Sequence, residues 1–191
     1  MSDKPGRYER SVSGLLGAIL VTVLGVGGFV VFTGLFRDPA ERTVPEIDYL
    51  PAVGDLQEAG AEVVYPADLP SGWRATEVRY EPGELPAFEL NLYTPGDDFV
   101  GLRQRAAEVD DLLEDAGVDP ATEDDPLSGV DGVADMWTAW SDPDGDSAYA
   151  AEVGGEVVLV YGAVPAAELA DLLGRLTTEP VGPVARPSTG P

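Results

Sequence analysis

The chain has 191 residues, with 35 acidic and 11 basic side chains, a net charge of −24, and no histidine or cysteine. Those two absences exclude the commonest general base, a thiolate nucleophile, any disulfide and any zinc–sulfur site. The negative field repels nucleic acid and acidic lipid surfaces, so neither is expected as a partner.

Residues 1–11 carry Lys4, Arg7 and Arg10, and Lys4 is the only lysine. Val12–Phe36 then runs for 25 residues without a charged side chain. A bilayer core of about 30 Å needs roughly 20 apolar residues in a helix, which satisfies its own backbone as lipid demands. A cleavable signal has an apolar core of only about 7–15 residues before a small-x-small site. Here the run is longer and leads into "LFRDPAERTVPE", which lacks that site. Residues 12–36 are therefore expected to be an uncleaved transmembrane helix. Three basic side chains precede it, and only Arg37 and Arg42 follow closely. This bias places residues 1–11 as a cytoplasmic tail and the rest outside the membrane. Ser13/Gly17 and Gly14/Ala18/Thr22 repeat small residues four apart, a spacing that permits a weak transmembrane dimer.

Residues 37–47 hold Pro39 and Pro45 and read as a stalk, and residues 48–177 as one extracytoplasmic domain. From Arg37 onward the chain carries 8 arginines against 33 acidic residues. Pro51 to Ala59 reads as a helix stopped by Gly60. "YPADLPSGWR" is a loop punctuated by Pro and Gly. "ATEVRY" alternates, with Thr76, Val78 and Tyr80 sharing a face, and "FELNLY" turns Phe88, Leu90 and Leu92 inward. "TPGDD" is a turn and "FVGLRQ" the returning strand. Val109, Leu112, Leu113 and Ala116 line one face of a helix that Gly117 ends.

Residues 106–135 hold 11 carboxylates and no Arg or Lys, and read as a solvated acidic face and loop. "GVADMWTAWS" is a strand whose Trp137 and Trp140 point to opposite faces. If either indole is exposed on an open sheet face, that face becomes a candidate binding surface. "SAYAAEV" and "EVVLVYGAV" are strands joined by a hairpin at Gly154-Gly155. Val157 to Tyr161 is apolar on both faces and belongs at the sheet centre. Pro165 opens a last helix with Leu169, Leu172, Leu173 and Leu176 as its stripe. Residues 178–191 contain four prolines and little to bury, and are expected to be disordered. The fold class is α+β: two layers, an antiparallel sheet of about six strands with helices on one face.

One motif suggests chemistry. "DPDGD", Asp142 to Asp146, places Asp142, Asp144 and Asp146 alternately, as the start of a calcium loop does. An EF-hand also needs Gly at its sixth position and Glu at its twelfth, where this chain has Ser147 and Val153. A tight turn explains the same residues, so these three are only weak metal candidates. No catalytic residue and no cofactor-binding residue is identified. A serine nucleophile lacks a histidine partner, and Lys4 lies across the expected membrane. "GVGG" at 25–28 lies inside the apolar run rather than in a phosphate loop.

The order "GRYERS", apolar run, "YLPAV", "VVYPADLPSGWRATEVRYEPG", "FVGLRQ", "TAWSDPDGDSAYAAEVGGEVVLVYG" resembles the actinobacterial membrane proteins grouped as the domain of unknown function 4245 family, from about Gly6 to Leu176. "YPADLPSGWR" is the most specific part. The resemblance implies one anchor and a small extracytoplasmic domain, and supplies no activity and no site residues. The expected function is a non-catalytic interaction or accessory module of the cell envelope, with an envelope protein as partner. The rival readings are a carboxylate-dependent envelope hydrolase and a divalent-cation-binding surface domain.

Overall fold

The computed structural model describes residues 45–119 and 121–182. The expected cytoplasmic tail, the transmembrane helix with its small-residue faces, most of the stalk and the last nine residues lie outside them. Among the described residues no helix is long and apolar enough to cross a membrane.

The elements run α1 (Leu50–Glu58), β1 (Tyr65–Pro66), β2 (Arg74–Glu81), β3 (Ala87–Tyr93), β4 (Phe99–Arg105), α2 (Val109–Ala116), β5 (Thr122–Ser128), β6 (Met136–Ser141), β7 (Ser147–Val153), β8 (Glu156–Gly162), α3 (Ala166–Leu173) and β9 (Leu176–Thr177). Strands β2 to β8 form one seven-stranded sheet, ordered β2-β3-β4-β8-β7-β6-β5, with every neighbour antiparallel. Two meanders, β2–β3–β4 and β5–β6–β7–β8, are thus joined along the β4–β8 seam. A separate two-stranded ladder pairs β1 with β9.

Alternation builds the core as the sequence suggests. Phe88, Leu90 and Leu92 of β3 are buried and pair with Gln104, Leu102 and Val100 of β4. Gly154 and Gly155 sit at φ 63° and 87°, the left-handed pair that a two-residue hairpin requires. β8 is the middle strand of the seven. Its Val158 and Val160 join a core with α1 and α3, while Val157, Leu159 and Tyr161 face α2.

That division corrects two expectations. The helices do not share one face: Val53 of α1 and Leu169, Leu172 and Leu173 of α3 cover one side of the sheet, and Leu112 and Leu113 of α2 cover the other. The domain therefore has three layers rather than two. The cause is the doubly apolar β8, which needs cover on both sides. The strands number seven rather than about six, because Thr122–Ser128 pairs with β6 as an edge strand. Only Leu127 in it is partly buried. Its Pro126 falls within the register shift between Asp124 and Leu127, where a missing N–H is tolerated. Proline and charge also keep this edge from pairing with other chains.

Smaller differences follow from local geometry. A register shift between Ala75 and Glu77 turns Ala75 into the core, so Ala75 rather than Thr76 shares the face of Val78 and Tyr80. Leu176 lies beyond α3, in β9. The start of the expected disordered tail is docked on α1. Gln57 Nε2 donates to the Glu179 carbonyl at 3.1 Å, Val181 N donates to Gln57 Oε1 at 2.9 Å, and the Tyr65 hydroxyl donates to the Glu179 carbonyl at 2.7 Å.

Candidate functional site

The Asp142–Asp146 run is the β6–β7 turn. Asp142 Oδ1 accepts backbone N–H bonds from Asp144, Gly145 and Asp146 at 2.8–2.9 Å. One carboxylate oxygen is thus committed to shaping the loop, as turn chemistry demands. Among the described residues no three acidic side chains are grouped to hold a metal ion. The Asp146 carboxyl is pushed up from 3.8, first by burial and then by Asp142 and Asp144. A raised carboxyl contributes stability while protonated, and this contribution is lost as pH rises through its folded value. Asp146→Asn is therefore expected to raise Tm at pH 7 and to change nothing at about pH 3, read from thermal melts. A lower Tm at pH 7 would mean that the charge is stabilising instead.

Among the recesses of the described residues, two bear on a candidate site. The first is a cleft of about 250 Å³ between the α1–β1 segment and β3–β4, lined by Glu62, Val64, Tyr80, Phe88, Gln104 and Glu156 among others. Gln104 is 4% exposed at a core-facing position of β4. Its Oε1 accepts from Val64 N at 2.6 Å, and its Nε2 donates to the Glu62 carbonyl at 2.8 Å and to Glu156 Oε2 at 2.6 Å. Both amide donors are spent inside the protein, so Gln104 latches the α1–β1 segment to the sheet. The sequence carried one sign of this: a polar residue among inward-facing apolar ones.

The second recess is a groove of about 400 Å³ on the α2 side of the sheet. Its lining includes Trp140 and Thr138 of β6, Val157 of β8, Glu152 of β7, and Glu108 and Val109 where α2 begins. Trp137 is 1% exposed in the opposite core, whereas Trp140 is partly exposed. The two indoles do point to opposite faces, and Trp140 is the accessible one.

The "YPADLPSGWR" segment turns out to hold the architecture together. Tyr65 and Pro66 pair with Thr177 and Leu176, and the Tyr49 hydroxyl donates to the Pro66 carbonyl at 2.7 Å. Burial first, then Asp68, Tyr65 and Asp48, raises the Tyr49 phenol, which stays a neutral donor across the physiological range. Asp68 pairs with Arg175 at 2.5 Å, and Trp73 is buried in the core. Gly72 has φ +81°, and a Cβ there would meet Pro95 Cγ at 2.8 Å. Arg74 lies 5.5 Å from the centre of the Tyr93 ring, donates to the Thr94 carbonyl at 3.3 Å and pairs with Asp97. Gly72 and Arg74 therefore clamp the β3–β4 turn.

Residues 7–176 match the family described as Protein of unknown function (DUF4245). The chain belongs to this family. No curated protein matches the chain. Within this DUF4245 chain the Tyr65–Arg74 segment is spent on the fold, since Pro66, Asp68 and Arg74 are each bonded to or paired with another part of the same domain. A partly exposed indole lies elsewhere, at Trp140 in the second recess.

Proposed function

We propose that this protein is a membrane-anchored interaction or accessory module of the cell envelope. In this reading residues 12–36 are its single transmembrane helix, the N-terminus is cytoplasmic, and the acidic α+β domain lies outside and catalyses no reaction. The observation that carries the reading is the uncharged run Val12–Phe36, long enough for a bilayer, set directly before a folded and strongly acidic domain. The greater basic charge on its N-terminal side supports the orientation. The role in interaction is supported by a groove with a partly exposed indole.

Protease added to intact, wall-stripped cells is expected to digest the domain and leave a short membrane-retained fragment. A domain that survives until the cells are lysed overturns the placement. Crosslinking in intact cells is expected to capture the full chain with an envelope protein, and a chain that remains uncrosslinked overturns the interaction role.

A further inference from the structure

We infer that the Trp140 groove is a docking site for an arginine side chain presented by a basic segment of a partner protein. It rests on the interaction-module reading above and names the chemistry of the partner. Trp140 lines the groove, and carboxylates on three elements share its face of the sheet. Glu152 of β7 and Glu108 at the start of α2 line the groove. Glu123 of β5 is the cross-strand neighbour of Trp140 and so stands on the same face. All three acids are exposed. An indole attracts a cation over its face, and a planar guanidinium both stacks on a ring and forks onto carboxylates. The apolar wall of Ala150 and Val157 suits the methylene stem of an arginine, which buries while its charged end stays paired.

The domain's own arginines on this face are committed elsewhere. Arg105, next to Val157 in register, pairs with Asp115 at 2.5 Å. Arg103 lies 5.2 Å from the Tyr161 ring centre, and Arg79 bonds Glu77 at 2.8 Å. The field favours the same occupant: with a net charge of −24 the chain attracts basic segments from a distance and repels acidic ones. The groove holds about 400 Å³, room for a side chain but not for a folded element.

The test uses the full chain in detergent, with a short Gly/Ser peptide bearing spaced arginines and the same peptide with citrulline in their place. Citrulline keeps the shape and removes the charge. Trp73 and Trp137 are buried, so a change in tryptophan fluorescence on binding reports Trp140. The arginine peptide is expected to alter this fluorescence and the citrulline peptide to leave it unchanged. Replacing Glu108, Glu123 and Glu152 together by Gln is expected to weaken binding about tenfold. Replacing exposed Glu58, Glu84 and Glu168 by Gln should weaken it far less. Trp140→Leu keeps an apolar side chain on β6 but removes the fluorescent reporter, so its binding is read by calorimetric titration beside the parent, and it should be weaker while far-ultraviolet circular dichroism shows the domain still folded. Equal losses from the two glutamate sets would show general charge attraction and overturn the groove. So would tight binding by Trp140→Leu, or no binding at all. A partner captured in cells through another surface would overturn the groove while leaving the interaction role standing, and capture of no partner would remove both.

Discussion

Trp137→Ala is expected to lower the stability of the domain by about 3–5 kcal/mol, the usual cost of emptying a buried aromatic site. Domains of this kind have only about 5–15 kcal/mol in total, so a large part of the variant should unfold near physiological temperature. Trp137 is 1% exposed and belongs to the cluster that α1 and α3 cover. Its neighbours there come from several elements and cannot all collapse into the space left behind. Urea unfolding followed by far-ultraviolet circular dichroism measures the effect, with the midpoint moving and the slope unchanged. Trp137→Phe should recover more than half of the loss. A loss below about 1 kcal/mol for Trp137→Ala would mean that β6 is shifted by one residue, because a one-residue slip exchanges the faces of every side chain in a strand.

The second large effect is expected at Gly162, the last residue of β8, which lies opposite both Val100 and Ser147. A Cβ at this position would collide with the Phe99 carbonyl oxygen and come within 3.1 Å of Val100 Cα. These are backbone atoms of the adjacent strand and cannot rotate out of the way. Gly162→Ala should therefore cost close to the upper end of the usual overpacking range of about 1–3 kcal/mol. Gly83→Ala is the control. Nothing lies within 4 Å of a Cβ there, and its backbone is outside the left-handed region. Its expected effect is within about 0.5 kcal/mol of zero. Thermal melts of the two variants side by side decide the matter, and equal Tm values would contradict the β4–β8 register.

Period-two alternation made most of the sheet legible from the residues alone. Phe88, Leu90 and Leu92 declare β3, the Gly154-Gly155 pair declares the β7–β8 hairpin, and the doubly apolar Val157–Tyr161 declares the central strand. β5 was not legible, because "TEDDPLS" has no apolar alternation and becomes a strand only through its pairing with β6. The side of the sheet on which α2 packs was not legible either. Its stripe of Val109, Leu112, Leu113 and Ala116 shows that the helix has an apolar face, while the path of the chain decides which sheet face receives it. For the same reason the sequence showed that Trp137 and Trp140 point to opposite faces but not which is exposed, and the groove around Trp140 depends on where α2 begins. "YPADLPSGWR" was readable as a specific loop. Its purpose emerged only with its distant partners, Pro95, Asp97 and Arg175.

The ladder between β1 and β9 ties an early segment of the domain to its last one, reinforced by the Asp68–Arg175 pair and by Gln57 holding residues 179 and 181. Tension applied between the two ends would load the single Ile47–Ala75 bridge to β2 and this short clasp before the long strand pairs of the sheet. Two residues per strand and a handful of side-chain bonds would yield first, and the seven-stranded sheet would remain folded while the clasp opened. The domain is thus expected to open first at its short ladder and last at its wide sheet.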